Sequence, residues 1–428
     1  MSPISLRAGI DLNVLHLQSG ELTGGAARGT YWLHSALREI GVDSHLMISG
    51  RDAQGDDSVT PLADSQAKRV AFALRNRIGN LPTHLYRNRQ QRIFNTGLAG
   101  IDFTRTSAYR AADIIHLHWI NGLVAMRSLR RIEKPIVWTL RDMWPLTGGC
   151  HYAIDCDRYG VGCGHCPQLA SKRPRDLSRV VVKAKNATIP SGLQVVGISE
   201  WLSDCARRSE VFRRHQTRTI SNNIDTRLFS PLPTQVARQA LNLPVDKKVV
   251  LVGAQRVTDF YKGFDRFLEA LSQSNSRSMH IVTFGRSAEA ATQEVDLPKT
   301  HLGFLSDAVS LRLAYSAADV FVAPSLMDAF GKTLAESMAC GTPVVCFDAT
   351  GPKDIVAHKE TGYRARPYEP GDLAAGIDWV LSQDTQGGER LRQQSRQRAV
   401  EHFDSRVIAR QYKTLYQEML GSTVRGES

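Results

Sequence analysis

The feature that most restricts the fold of this chain is an alternation of short apolar runs with helix-length amphipathic segments. Eight runs of four to six residues are rich in apolar side chains, and several are apolar at nearly every position, as in strands of a parallel sheet that is covered on both faces. Between such runs, segments like 31–40 place Leu33, Leu37 and Ile40 on one helical face. Because strand and helix alternate, the sequence predicts parallel α/β sheets. The predicted strands are 12–17, 114–118, 136–140, 195–198, 249–252, 280–284, 320–323 and 344–347.

The predicted strands form two groups, and a polar segment at 222–244 separates them. Three prolines in that segment oppose continuous secondary structure, and a length of 428 residues favours two or three domains. Doubly wound sheets bind ligands at the carboxyl ends of their strands, so two facing domains are expected to enclose a cleft. We therefore predict doubly wound domains at 1–220 and 221–403, followed by a helix at 404–428 that caps the second domain or crosses back to the first.

Composition narrows the class of protein. The hydrophobic fraction of 42% and the charged fraction of 22% are ordinary for a globular chain and exclude a disordered or fibrous one. The formal charge of +12 favours anionic partners. We find no uncharged apolar run long enough to span a membrane, and the first 18 residues lack the pattern of a signal peptide. These observations predict a cytoplasmic protein, in which seven cysteines are more typical of thiols or a metal site than of a disulfide framework.

The most informative stretch is 323–348, with the sequence APSLMDAFGKTLAESMACGTPVVCFD. A predicted strand ends near Ser325, a loop carries Asp328 and Gly331, and a helix runs to about Ala339. Glycine at a helix start lets backbone N–H groups approach an anion. Asp328 and Glu336 are eight positions apart, so that both carboxylates could face one ligand. The alternative is a plain loop and helix with surface carboxylates.

This stretch resembles the acidic signature of retaining glycosyltransferases of the GT-B fold, family 4 (glycosyl transferases group 1): a carboxylate, seven residues and a glutamate. The family usually has glutamate where this chain has Asp328. The resemblance covers nearly the whole chain, is strongest over 250–365, and implies two Rossmann-like domains facing across a cleft. It also implies that Asp328 contacts the donor sugar and that Glu336 holds the ribose. The remaining donor contacts that it implies in this segment are Phe330, Gly331, Lys332 and Thr333.

Two cations upstream extend the resemblance. Arg256 follows a predicted strand, and Lys262 precedes Gly263 shortly afterwards, similar to the arginine and the Lys-Gly pair with which the family holds the donor diphosphate. A departing diphosphate gains negative charge as the glycosidic bond breaks, and fixed cations stabilise that charge. The resemblance therefore implies catalytic roles for Arg256, Lys262 and Asp328. Taken alone, the two cations are more typical of a solvated surface.

The first half supplies candidates for the acceptor side. Gly24 and Gly25 stand between the first predicted strand and a helix, where they permit close approach of a phosphate or sugar; the family places this loop beside the donor diphosphate. His118 ends a predicted strand, and a packed histidine is an equally open interpretation. Arg141 and Asp142 end the next strand, where the family commonly has His-Asp. Because arginine stays charged, Arg141 cannot act as a base, although it can contact a sugar or an anion.

Four cysteines, Cys150, Cys156, Cys163 and Cys166, lie within 17 residues. The surrounding segment, 138–169, resembles a subgroup that includes colanic-acid-type exopolysaccharide glycosyltransferases. Four thiolates can complete a tetrahedral structural zinc site and staple a loop that has little core of its own. Reduced structural thiols, or a redox or disulfide role, remain open. The resemblance implies that transfer itself needs no metal and no other cofactor.

The segment 65–101 contains no acidic residue, and its lysines and arginines alternate with apolar side chains. A basic amphipathic stretch of this kind can lie on an anionic membrane surface. A solvated helix face is the alternative. The cations of this segment are Lys68, Arg69, Arg75, Arg77, Arg87, Arg89 and Arg92.

Together these features predict a retaining glycosyltransferase of the hexosyltransferase type, peripheral on the inner face of the cell membrane. It is expected to move a sugar from a nucleotide-diphosphate donor to a lipid-linked saccharide in exopolysaccharide or cell-surface polysaccharide biosynthesis. A GT-B nucleotide-sugar epimerase is one alternative. A basic zinc-containing nucleic-acid-binding protein is another, but the chain has no compact aromatic and basic recognition motif.

Overall fold

The computed structural model describes residues 12–51, 53, 55–276 and 278–425. Residues 1–11, on which the expectation of no signal peptide largely depends, lie outside the described residues. The chain folds into two compact units. Unit 1 comprises the chain up to Gly197, Ser203–Ile220 and the residues from Ala409 onward, and unit 2 comprises Ile198–Leu202 and Ser221–Ile408.

Unit 1 is built on a parallel sheet whose strand order is β3-β2-β1-β4-β5-β6-β7. Strands β4 and β5 are buried at every position, as is typical of strands with both faces covered. The strands are β1 (Asn13–Gln18), β2 (Asp43–Ile48), β3 (Val59–Pro61), β4 (Ile114–Leu117), β5 (Ile136–Leu140), β6 (Gln194–Gly197) and β7 (Thr217–Thr219). The helices are α1 (Gly25–Glu39), α2 (Gln66–Asn80), α3 (Ser107–Ala111), α4 (Leu177–Thr188) and α5 (Glu200–Arg208), the last of which begins in unit 2.

Unit 2 is built on a second parallel sheet, of order β10-β9-β8-β11-β12-β13. Its strands are β8 (Lys248–Arg256), β9 (Met279–Arg286), β10 (Lys299–His301), β11 (Val320–Ala323), β12 (Val344–Phe347) and β13 (Gly362–Ala365). Its helices are α6 (Thr234–Ala240), α7 (Phe264–Gln273), α8 (Ala288–Ala291), α9 (Ala308–Ala317), α10 (Lys332–Ala339), α11 (Pro352–Ile355), α12 (Pro370–Leu381) and α13 (Thr385–Phe403). The last helix, α14 (Ser405–Arg425), begins in unit 2 and continues in unit 1.

Both sheets reverse their strand order at one point, between β1 and β4 in unit 1 and between β8 and β11 in unit 2. At such a reversal, the connections that leave neighbouring strands go to opposite faces of the sheet and open a crevice at the carboxyl ends, where ligands bind. The topology therefore predicts that ligands bind at the loops that follow β1, β4, β8 and β11.

The predicted α/β fold class is confirmed, and each of the eight predicted strands is present. Five further strands, β2, β3, β7, β10 and β13, were not predicted. The proline-containing segment at 222–244 is less irregular than expected, because helix α6 fits between Pro233 and Pro244. None of the described helices is long and apolar enough to cross a membrane.

Candidate active site

The reversal point of unit 2 brings together the loop after β8 and the loop after β11. Leu326 N and Met327 N both donate to the carbonyl oxygen of Tyr261, at 2.9 and 3.2 Å. Gly263 has φ +61°, and a Cβ at this position would collide with the carbonyl oxygen of Pro324. Only glycine permits this approach, so the Lys-Gly pair recognised in the sequence fixes one loop against the other.

Two of the three predicted catalytic side chains, Lys262 and Asp328, meet at this junction. Lys262 Nζ lies 2.7 Å from Asp328 Oδ2, although 66 positions separate them in the chain. The Asp328 backbone is held as well, since its N donates to Thr350 Oγ1 and its O accepts from Gly351 N. The side chains remain 26% and 17% exposed. The pair is thus positioned firmly and still accessible to a ligand.

Helix α10 begins directly behind this pair. Gly331, with φ +100°, is its N-cap and has no side chain with which to cap the helix. Lys332 and Thr333, in its first turn, are half-buried. Phe330 is buried instead and packs edge-on against Phe403, with ring centroids 5.5 Å apart. The helix start therefore presents backbone donors beside the Lys262–Asp328 pair, while Phe330 anchors the loop in the core.

Glu336, the second carboxylate of the acidic signature, lies inside unit 2. Its Oε2 accepts a hydrogen bond from the hydroxyl of the buried Tyr315 at 3.2 Å, and its Oε1 lies 4.0 Å from Lys332 Nζ. These contacts hold the carboxylate on the side of α10 that faces the core. Its predicted contact with a ribose stays a prediction.

Arg256 lies at the end of β8, where it is exposed. It pairs in register with Arg286 at the end of β9, beyond a bulge between Gly253 and Arg256. The Arg286 guanidinium lies 4.8 Å from the centre of the Phe304 ring. Two guanidinium groups at adjacent strand ends create a positive edge suited to an anion.

A pocket of about 780 Å³ opens beside Arg286. Its lining includes Gly285, Arg286, Glu289, Lys299, His301 and Phe304. Neither this pocket nor Arg286 was predicted. The available signal was the repeated ending of two consecutive strands, since β8 ends in Gln255-Arg256 and β9 in Gly285-Arg286.

In unit 1, the predicted glycine pair begins α1 after the reversal point. Gly24 is the N-cap with φ −76°, and a Cβ on either Gly24 or Gly25 would meet no atom within 4 Å. Neither backbone strain nor packing within the unit requires glycine here. Close approach of a ligand to this helix start stays a prediction.

His118 and Arg141, predicted for the acceptor side, are buried and bonded to each other. Arg141 Nη2 lies 3.2 Å from His118 Nδ1, and His118 Nε2 lies 2.9 Å from His16 Nδ1. Because a guanidinium only donates, His118 Nδ1 must accept, and its Nε2–H then donates to His16. Burial lowers the pKa of both histidines well below the ordinary value and lowers the pKa of Arg141 to about 10.

His116 extends this group towards helix α14. Its ring nitrogens lie 2.7 Å from the Tyr416 hydroxyl and 2.7 Å from Thr139 Oγ1, and Thr139 in turn bonds the Tyr412 hydroxyl at 2.8 Å. Nitrogens of His16, His116 and His118 lie within 4.8 Å of one another. In the part of the chain that is described, no other three histidine, cysteine or acidic side chains bring ligating atoms so close.

Asp142 is the centre of a second buried network. It accepts from His151 Nδ1 at 2.6 Å, from Trp119 Nε1 at 2.7 Å and from Trp144 N at 2.9 Å. The other nitrogen of His151 lies 3.0 Å from Asn95 Nδ2. Asp142 thereby joins the strand ends to the cysteine loop, and the role of His151 was not predicted. Ligand contacts of His118, Arg141 and Asp142 stay predictions.

None of the four cysteines forms a disulfide, and three of the sulfurs have a local hydrogen-bond donor. Backbone groups of Gln168 and Leu169 hydrogen-bond Cys166, and the Gly148 backbone hydrogen-bonds Cys163. Burial raises the pKa of Cys150 and of Cys163 to about 12. The sulfurs do not gather as tightly as the histidine nitrogens do. Structural zinc at this loop stays a prediction.

Lys185 is fully buried beside the cysteine loop. Its Nζ donates to the carbonyl oxygens of Trp144 and Thr147 and interacts electrostatically with the Cys163 and Cys150 thiols. Burial lowers the pKa of Lys185 to about 7. The buried ammonium is thus placed where negative charge on the sulfurs would be stabilised.

The second half of the chain matches a known family model. Residues 234–400 match the family model described as Glycosyl transferases group 1. The chain is 24% identical, over 81% of its length and 85% of the relative's, to Escherichia coli K12 WcaC, a protein named provisionally as a colanic acid biosynthesis glycosyl transferase. It is 25% identical, over 47% of its length and 54% of the relative's, to the Campylobacter jejuni N,N'-diacetylbacillosaminyl-diphospho-undecaprenol α-1,3-N-acetylgalactosaminyltransferase.

A solved structure matches both units. HepE of Anabaena, crystallised with UDP and glucose, superposes with a TM-score of 0.63 at 19% identity, over 95% of this chain and 99% of HepE. At that identity the likeness establishes the fold. It confirms the predicted two-domain architecture of GT-B glycosyltransferases.

Proposed function

We propose that this chain is a glycosyltransferase that transfers a sugar, with retention of configuration, from a nucleotide-diphosphate donor to a lipid-linked saccharide. Support comes from the match of its second half to the group 1 family model and from its GT-B fold. The observation that carries the donor side is the accessible Lys262–Asp328 pair at the reversal point of unit 2. It combines a cation for a diphosphate with a carboxylate for sugar hydroxyls.

The donor diphosphate binds between the strand ends and the start of α10. Arg256 and Lys262 neutralise its charge, and the N–H groups of Lys332 and Thr333 donate to phosphate oxygens at a helix terminus that favours anions. Fixed donors of this kind act most strongly on the charge that develops on the leaving group. The pocket beside Arg286 and Phe304 adjoins this edge and is open enough for the nucleoside. Glu336 binds the ribose.

The chemical step uses no protein nucleophile. The bond between the anomeric carbon and the diphosphate oxygen breaks, and the acceptor oxygen bonds to the same face of the sugar. The acceptor proton passes to the departing phosphate oxygen, so that the diphosphate leaves with the charge that Arg256 and Lys262 stabilise. Asp328 orients the sugar through its hydroxyls. No metal or other cofactor takes part in this scheme.

The acceptor is a saccharide carried on a lipid, in the synthesis of an exopolysaccharide or another cell-surface polysaccharide. Support comes from two relatives, one named for colanic acid biosynthesis and one for a diphospho-undecaprenol substrate. In unit 1, Gly24 and Gly25 begin α1 with open space on their Cβ sides, which lets a phosphate or a sugar approach the helix start. His118 and Arg141 shape the strand ends on that side through their bond to each other, and Asp142 does so through its bonds to Trp119 and His151.

The test removes the ammonium group alone. Lys262→Ala should lower kcat by about a hundred- to a thousandfold, the effect typical of losing one donor to a developing charge, with the melting temperature unchanged because the site is partly exposed. Lys247→Ala, an exposed lysine before β8, is the matched control. Transfer is measured across a panel of nucleotide sugars with a lipid-linked acceptor. Undiminished turnover by folded Lys262→Ala protein would remove the diphosphate role, and donor conversion without an acceptor would indicate an epimerase.

A further inference from the structure

Helix α2 presents an apolar stripe to solvent. Val70, Leu74 and Ile78 recur at intervals of four residues and therefore share one helical face. The stripe continues in the following turn with Leu81 and Leu85. These five side chains are between 53% and 83% exposed. A contiguous apolar patch of this kind on a soluble unit marks an interaction surface.

The exposure is a property of the whole helix. No residue of α2 is buried, whereas the helices α1 and α4 of the same unit bury their apolar faces. The side of α2 that contacts unit 1 carries Asn76, against Gly122, and Gly79, against Ala99. The helix thus packs through small and polar residues and directs its large apolar side chains away from the core, the reverse of an ordinary surface helix.

The charge around the stripe has a single sign. Seven lysines and arginines and no acidic residue occur between positions 65 and 101. Arg77 and Arg87 are exposed, one on α2 and the other just after the turn. Asp64, which pairs with Lys68 at 2.8 Å, lies before the segment. The surface therefore combines apolar side chains with cations. A ligand that complements both must have anionic groups at its surface and an apolar layer beneath them.

We propose that α2 and the turn through Leu85 form a docking surface for an anionic lipid bilayer. The stripe lies in the boundary between head groups and acyl chains, and the flanking arginines contact lipid phosphates. This docking serves the proposed function by keeping the enzyme at the membrane that carries its lipid-linked acceptor. The surface itself is assigned independently of transfer, from exposure and charge alone.

Charge also decides among the possible occupants. A second copy of the chain would bring the same cations face to face, and like charges oppose that contact. A nucleic acid would pair with the arginines but would leave the apolar side chains in water. An anionic bilayer satisfies both parts of the surface, since it offers phosphates above and hydrocarbon below.

Co-sedimentation with vesicles tests the assignment. The whole protein is mixed with phosphatidylcholine vesicles that contain either no phosphatidylglycerol or about 40% phosphatidylglycerol, at low and at high salt. We expect binding that needs the anionic lipid and weakens with salt. Leu74→Glu/Ile78→Glu should reduce the partition coefficient by more than tenfold, and Arg77→Gln/Arg87→Gln by about 25-fold, since each cation contributes roughly fivefold.

Matched controls come from other exposed positions. Val245→Glu and Lys247→Gln, on the surface of unit 2, should leave the partition unchanged. Melting temperatures of all variants should match the parent, because none of the altered side chains is buried. Equal binding to both vesicle types, or full binding by Leu74→Glu/Ile78→Glu, would overturn the assignment. Self-association without lipid that Leu74→Glu/Ile78→Glu abolishes would overturn it in favour of a second copy. A separate assay with a water-soluble acceptor reports transfer, so that failure to bind vesicles is not confused with failure of the enzyme.

Discussion

The reversal points of the two sheets have the same topology and opposite chemistry. At that of unit 2, Lys262 and Asp328 remain partly exposed, and Arg256 is open to solvent. At that of unit 1, His118 and Arg141 are buried and bonded to each other. A sheet reversal therefore provides a crevice where a ligand can bind. The side chains at the strand ends decide whether that crevice presents accessible charges or is filled by buried side chains that bond to each other.

The physical origin of the difference is desolvation. A partly exposed ion pair keeps both charges, because water still solvates them. The unit 1 histidines lie among apolar strands, where burial disfavours the protonated form and leaves a chain of neutral hydrogen bonds. We interpret the unit 2 residues as ligand-binding and the unit 1 network as positioning. Three experiments challenge this interpretation.

The largest expected effect is the loss of stability of unit 1 when a structural zinc ion is removed from the cysteine loop. Structural zinc supplies about 10–16 kcal/mol in small peptides, as much as the stability of a whole domain. If zinc is present, elemental analysis should find about one zinc per chain, and a strong chelator should lower the melting temperature of unit 1 without changing donor binding by unit 2.

Two cysteine variants separate this loop from the other thiols. Cys163→Ser should abolish zinc binding, whereas Cys205→Ser, at a buried cysteine outside the loop, should preserve it. A zinc-free protein of normal stability would contradict the metal site and assign the four cysteines to reduced structural thiols.

The histidine network predicts a steep loss of stability in mild acid. Burial lowers the folded-state pKa of His16, His116 and His118 well below 6.5, so the unfolded chain binds protons there that the folded one does not. Stability should therefore fall as the pH drops below about 6.5, by up to about 4 kcal/mol per pH unit for three histidines. His34, whose pKa burial lowers to about 4, acts in the same direction.

Denaturant unfolding at pH 7, 6 and 5 measures this slope. His116→Gln should reduce it by about 1.4 kcal/mol per pH unit, the share of one group, even if the variant is less stable throughout. His402→Gln, at an exposed position on α13, is the control and should leave the slope unchanged. A slope that His116→Gln does not alter would show that the network is protonated or hydrated in the folded protein.

Much of the fold was predictable because buried parallel strands carry continuous apolar runs. Of the five missed strands, only β2 carries such a run, Leu46-Met47-Ile48. β7 reads Thr-Arg-Thr and β10 reads Lys-Thr-His, and both lie at sheet edges where one side has no neighbouring strand. Their identity depends on pairing with β6 and β9, which local sequence does not encode.

The candidate site was predictable in its residue types but not in its contacts. Lys262 and Asp328 were identified by resemblance, and only the fold shows that they form an ion pair. His16 was not predicted as part of the site. A single histidine in an apolar strand cannot be distinguished by sequence from a packed core residue. The pairing of β1 with β4 is what places it 2.9 Å from His118. Contacts made across a sheet depend on strand order, which the chain specifies only through the whole fold.

The smallest expected effect removes one atom from the network. Tyr416→Phe deletes the hydroxyl that lies 2.7 Å from His116 Nδ1 and leaves a buried ring nitrogen without that partner. An unsatisfied buried polar group costs about 1–3 kcal/mol, so the free energy of unfolding should fall by that amount while kcat and KM for the donor stay unchanged. Tyr368→Phe, at an exposed tyrosine of unit 2, should change stability by less than about 0.5 kcal/mol. Loss of turnover in Tyr416→Phe at unchanged stability would contradict the positioning role, because the unit 1 network would then take part in the reaction and the contrast between the two reversal points would disappear.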